Sequence, residues 1–171
     1  MRTGIALPLW LALCSDYAFQ QAESHLSRNA GDMKLAMSSC ALALSLWVVS
    51  PAASDEHHEA SAAAAAVAWL ALVDAGSYAE SWNAAATRFR QAVTQQQWQS
   101  SAARAHTLFG ALKSRELQSA TFEHTLPGAP DGEYVVVRFA TSFANKATAI
   151  ETVTPMKDND GTWRVAGYYI K

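Results

Sequence analysis

Partway along the chain the apolar residues change their spacing, and that change restricts the fold more than any motif. Up to about Leu112 they recur every three or four residues. Ala63, Val67, Leu70 and Ala66, Leu70, Val73 share one side of a helix over 62–73, which Asp74-Ala75-Gly76 ends. Ser77 with Glu80 reads as a capping box opening a second helix, with Tyr78, Trp82, Ala85 and Phe89 on one face. Thr94 with Gln97 repeats the signature, and Trp98, Ala102, Ala105, Phe109 and Leu112 continue a third helix from Gln95 to about Leu112. From Glu133 the pattern alternates. Val135, Val137, Phe139 and Phe143 stand opposite Arg138 and Ser142, as in a strand with one buried face. Segments 148–156 and 162–170 are also strand-like, and 115–124 is a weaker fourth candidate. Turn-forming residues at 127–132, 145–146 and 158–161 leave only short links, so the strands should run antiparallel as a meander. Helices first and strands afterwards predict an α+β domain: three N-terminal helices packed on one face of a curved four-stranded antiparallel sheet.

The segment before the helices reads differently. Met33-Lys34 supplies a basic start, 35–49 is apolar or small throughout, and Ser50-Pro51-Ala52 presents small residues to a peptidase. A removable signal peptide over 33–52 is expected, cut after Ala52, with delivery to the periplasm or the outside. The apolar run is shorter than the roughly 20 residues of a membrane span, so no stable span is expected. Residues 1–32 then read as an upstream extension, although Met1-Arg2 and 3–13 resemble a second, weaker signal. Asp55 to Glu59 is polar, and 53–61 is expected to be a flexible tail before a single domain at 62–171. Lipid anchoring is the less favoured alternative: Leu13 is too large for the position before Cys14, and few apolar residues precede Cys40. Both cysteines lie upstream of the cut. The exported chain therefore has no thiol for a disulfide, a nucleophile or a metal site.

The charge is nearly balanced, with 13 basic and 15 acidic residues and no basic run, which argues against a nucleic-acid partner or an anionic membrane surface. His57-His58 between Glu56 and Glu59 suits a solvated tail better than a metal site. Asp158-x-Asp160-Gly161 resembles the start of a calcium loop, but Tyr169 occupies the position that needs a bidentate Glu, so a hairpin turn is expected and no metal or cofactor. Arg104, Arg115, Arg138 and Glu151 fall inside elements, where a half-buried charge must find a partner. An ion pair of Arg115 or Arg138 with Glu151 is the structural expectation. His106, His124 and Asp74 are the remaining candidates for a general base, but no motif places a carboxylate beside either histidine. There is no Gly-rich phosphate loop and no nucleophile elbow.

Three separated motifs carry a family resemblance: Trp69-Leu70-Ala71-Leu72-Val73-Asp74-Ala75-Gly76-Ser77-Tyr78-Ala79-Glu80-Ser81-Trp82, then Pro127-Gly128-Ala129-Pro130-Asp131-Gly132-Glu133-Tyr134, then 160–171 from Asp160-Gly161-Thr162-Trp163 to Tyr168-Tyr169-Ile170-Lys171. In this order they resemble domain-of-unknown-function family 4019, over about 62–171. The helix and strand order also resembles the NTF2-like cone, whose sheet wraps over a long helix and can leave a pocket. In such a cone Tyr78, Trp82, Trp98, Phe109, Phe139 and Tyr168 are the candidate ligand-lining residues, although the same spacing serves an ordinary core. Fold says little about activity. The leading expectation is a non-enzymatic exported domain that binds a small apolar molecule or a partner protein. The alternatives are an isomerase- or dehydratase-type enzyme using His106, His124 or Asp74 as base, and a module that forms homodimers through the exposed face of its sheet.

Overall fold

The computed structural model describes residues 51–171. Among these residues four helices precede four strands: α1 Pro51–Asp74, α2 Tyr78–Ala84, α3 Thr87–Ala92, α4 Gln95–Phe109, then β1 Leu112–Glu123, β2 Tyr134–Phe143, β3 Lys146–Lys157 and β4 Trp163–Ile170. The strands form one antiparallel sheet in the order β1-β2-β3-β4, the expected meander. Four readings of the N-terminal half need correction.

The first concerns 53–61, which is the start of α1 and not a flexible tail. Glu59 Oε1 accepts the backbone N–H of Phe122 at 3.0 Å, and the His58 ring lies 4.9 Å from that of Phe122 and 6.0 Å from that of Trp163. Contacts with residues far along the chain hold these turns on the sheet, so their polar composition did not reveal them. The expected signal peptide at 33–52 and the upstream extension at 1–32 lie outside the described residues, apart from Pro51 and Ala52.

The second correction splits the expected middle helix in two. Ala85 and Ala86 are extended, with ψ of 162° and 151°, because the Ala86 N–H leaves the helix to donate to Val165 O of β4 at 2.8 Å. Arg90 Nη1 takes up the freed carbonyls of Asn83 and Ala85 at 2.8 and 2.6 Å. The expected box at Ser77 is also absent, since its side chain makes no cap bond. At α4 the box is present: Thr94 Oγ1 accepts Gln97 N–H and Gln97 Oε1 accepts Thr94 N–H, at 3.3 and 3.0 Å.

Helix α4 stops at Phe109, short of the expected end at Leu112. Gly110 has φ 76° and ψ −169°. That backbone conformation is open to glycine alone. Gly110 also sits against the β2–β3 turn, where Ala144 N donates to Ala111 O and Asn145 N to Phe109 O, each at 2.8 Å.

The core is built on the strand alternation. Val135, Val137 and Phe139 of β2, Val153 of β3 and Val165 of β4 point to the helices and meet Ala62, Ala66, Trp69 and Leu70 of α1, with Phe89, Trp98 and Ala102 completing it. Helix α1 lies against all four strands. The sheet is interrupted by a bulge after Leu117 in β1 and another at Ala166 in β4, opposite Pro155 of β3, where proline has no N–H for the ladder. No helix among the described residues is long and apolar enough to cross a membrane.

Two glycine substitutions separate backbone strain from crowding. A Cβ at Gly110 would meet Ala144 Cβ and Asn145 Nδ2 at 3.0 Å, whereas one at Gly76, also at positive φ, meets nothing within 4 Å. Gly110→Ala is therefore expected to lower the unfolding free energy by more than about 1 kcal/mol and by clearly more than Gly76→Ala, measured by urea denaturation.

Candidate functional site

The one fully buried acid of the described residues lies on the helix-facing side of the sheet. Glu151 is 0% exposed. It stands two residues before the core Val153, so alternation turns it inward. A carboxylate taken out of water costs several kcal/mol unless hydrogen bonds replace the lost hydration. Here the replacement comes from the other three strands. Arg115 of β1 donates from Nε to Oε2 at 2.6 Å and from Nη2 to Oε1 at 3.1 Å. Thr141 Oγ1 of β2 donates to Oε2 and the Tyr168 hydroxyl of β4 to Oε1, both at 2.6 Å. Cross-strand register explains the meeting, because Arg115 pairs with Thr141, Phe139 with Glu151 and Val153 with Tyr168.

Arg115 is shared. Its Nη1 and Nη2 also donate to Asp74 Oδ2 and Oδ1, at 2.6 and 3.0 Å, which ties the last residue of α1 to the edge strand. Burial works against the charge of Arg115, but the hydrogen bonds to Asp74 and then Glu151 outweigh it and raise its pKa. Burial, reinforced by the neighbouring Glu151 carboxylate, pushes the Tyr168 hydroxyl well above its ordinary value. Both oxygens of Glu151 already accept two bonds each, so the carboxylate has no free lone pair to offer a substrate proton. Arg138 stands between the inward Val137 and Phe139, so its side chain leaves the opposite face of the sheet and cannot reach Glu151.

The aromatic residues are packed against one another. Trp69 lies 5.3 Å from Trp98 and 5.4 Å from Tyr168, and Phe89 lies 5.3 Å from Trp98. All three contacts are tilted or edge-on, the arrangements that ring quadrupoles favour. Ser81, 0% exposed, joins the two indoles: its carbonyl accepts Trp69 Nε1–H at 2.7 Å and its hydroxyl accepts Trp98 Nε1–H at 2.9 Å. Among the six candidate lining residues, Trp98 and Phe139 belong to the core, and Tyr78, Trp82 and Tyr168 pack against it. Trp82 Nε1 donates to Val93 O at 2.7 Å. Phe109 stands apart, stacked on Phe143 at 5.7 Å with Lys146 Nζ 5.9 Å from its ring centre. Trp69, Phe89 and Ser81 are central here; Phe89 reads from the sequence as part of an apolar helix face, but none of the three is among the candidate lining residues. Their signal was available in the helical spacing of Trp69 with Ala62, Ala66 and Val73.

The remaining candidates do not converge. His106 and His124 are exposed, and Asp74 is held by Arg115. No cluster of His, Asp or Glu that could hold a metal occurs among the described residues. Asp158 is tied to the start of α3, accepting Thr87 N–H and Oγ1–H at 3.0 and 2.9 Å. The Thr87 amide leads the contacts that lower its pKa. Asp160 accepts both Arg164 Nη atoms at 2.7 and 2.8 Å and Thr162 N–H at 3.0 Å, so this segment is a hairpin turn.

Two outcomes test the charged network. Arg115→Met strands two carboxylates, one of them buried, and should cost about 3–5 kcal/mol of unfolding free energy in urea. For Tyr168, folded and unfolded chains are equally protonated below pH 10.0, the ordinary tyrosine value, and only the unfolded chain ionises as the pH rises past it. Stability should therefore fall as pH climbs above that value, and an absorbance titration should show a late-ionising tyrosine that Tyr168→Phe removes.

No curated protein and no solved structure matches the chain. A family model described as "Protein of unknown function (DUF4019)" matches residues 65–168, from the middle of α1 through the Tyr168 that reaches Glu151. The match spans more than half of the chain and takes in the whole Asp74–Arg115–Glu151 network: the chain belongs to the DUF4019 family of proteins of unknown function.

Proposed function

We propose that the chain is an exported, non-enzymatic domain of NTF2-like build that acts by binding a partner protein through its surface. The observation that carries this reading is the occupation of the space between the helices and the sheet by the chain's own rings, with Trp69, Phe89, Trp98 and Tyr168 in mutual contact. Residues that would have to line a small-molecule site are spent on packing. The enzyme reading loses its bases in the same way, since Asp74 is engaged by Arg115 and the two histidines are exposed. Export rests on the sequence at 33–52. A cut after Ala52 would take only Pro51 and Ala52 from α1, well before His58 and Glu59 fasten that helix to the sheet.

Two measurements test the reading. Expressed in a bacterial host, the chain should be recovered from the periplasmic fraction with Ala53 as its first residue by intact-mass spectrometry; cytoplasmic retention of the uncut chain would remove export. Titration with an apolar environment-sensitive fluorophore should leave the native tryptophan emission unchanged. Saturable uptake at one site per chain would overturn the protein-partner reading in favour of a ligand.

A further inference from the structure

We infer that the partner is a second copy of this chain, docked about a two-fold axis on the face formed by α1 and the outer edge of β1. The inference rests on the partner-binding reading and names its partner. It begins with two side chains. Val67 and Leu117 are 53% and 54% exposed, two of the three large apolar residues so open among the described ones. Leu117 pairs with the core Phe139 and so lies on the helix-bearing face of the sheet, yet it is left open to water.

The two residues belong to one patch. Glu59 touches the backbone of Phe122 and Asp74 touches Arg115, so α1 runs beside β1 in the opposite direction. The lengths agree: fifteen helical residues and seven strand residues each span about 22–23 Å. Val67 and Leu117 are close to the midpoints of these two spans and therefore level with each other. Val67 also lies four residues after Ala63 and seven before Asp74, on the side of α1 that faces β1. Between Glu59 and Asp74 the helix carries no charged residue on any side, although Ala60, Ala64, Val67, Ala68 and Ala71 are exposed. A helix at the surface normally turns charge to water.

Symmetry and charge select the occupant. Because the apolar pair is central, a two-fold axis through it sets each patch on its own copy, with the elements antiparallel. The ends are then complementary. Exposed Asp55 and Glu56 mark one end and exposed Lys113 the other, while the exposed Glu116, opposite Ala140, stands on the other face of the sheet, so each acidic end meets the partner's Lys113. The edges of the sheet point the same way. Among the described residues each outer strand takes one helix-side bond to its backbone, the Ala86 N–H on Val165 O of β4 and Glu59 on the Phe122 N–H of β1, so most of the β1 edge beside the patch is left for a partner.

Sedimentation equilibrium of the purified chain is the test. A dimer is expected, and Val67→Glu and Leu117→Glu should each weaken it about 30-fold or more while circular dichroism stays unchanged and the melting temperature, taken at a concentration where the wild-type chain is also monomeric, does not fall, since both positions are exposed. Lys113→Glu should weaken it about threefold and Glu56→Lys added to it should restore the wild-type constant. A monomer at about 100 µM, well above the range of specific protein association, overturns the inference and leaves a different protein as partner. A dimer indifferent to both apolar substitutions overturns it as well. So does a monomer whose melting temperature falls on Val67→Glu, because the patch would then be covered within one chain.

Discussion

The burial of Glu151 is the constraint that organises the domain. Its carboxylate takes hydrogen bonds from β1, β2 and β4, and through Arg115 it reaches the end of α1. A slip of one residue between any two strands would turn Glu151 to water or replace one of its donors by a neighbour of the wrong chemistry. The same slip would expose Val137, Phe139 and Val153, so polar and apolar demands on register coincide. A buried ion pair adds little when compared with a well-packed apolar substitute, but a single lost partner leaves a bare charge in the interior. The network therefore holds the register by what its disruption would cost.

Strand alternation in 133–143 and the turn residues at 127–132 and 158–161 carried enough local information to give the sheet and its order. The Thr94–Gln97 box was equally legible, since both halves of it lie within one turn of helix. What escaped is non-local. Ala85 and Ala86 are strong helix formers, and nothing near them indicates that the chain must open there; the reason is Val165 O on β4, in the last strand of the chain. Residues 53–61 read as a tail because their anchors, Phe122 and Trp163, are equally remote in sequence. Ser77 satisfies the capping pattern and makes no cap bond, which shows how little four letters specify without their surroundings.

For the charged site, Arg115 and Glu151 could be picked out because a charge in the middle of a strand is anomalous. Choosing Arg115 over Arg138 needed the register, which sets them on opposite faces. Asp74 looked like a turn residue or a general base, Tyr168 like a ring lining a cone, and Thr141 like a strand former. Only the pairing of four strands brings their oxygens to one point. The aromatic positions were correctly read as inward-looking for the most part, yet alternation cannot say whether an inward ring lines a space or fills it. The contacts among Trp69, Phe89 and Trp98 supply that answer.

The two-residue break between α2 and α3 has a consequence for how the protein can aggregate. By lending the Ala86 amide to Val165, the chain occupies one acceptor on the outer side of β4. A sheet with two open sides is a repeating unit that can add neighbours without limit. A bond made to an outer strand from within the chain removes one position at which a neighbour's strand could pair. Two alanines drawn out of a helix thus make the β4 side a poorer template for a further strand than an unbroken helix would have left it.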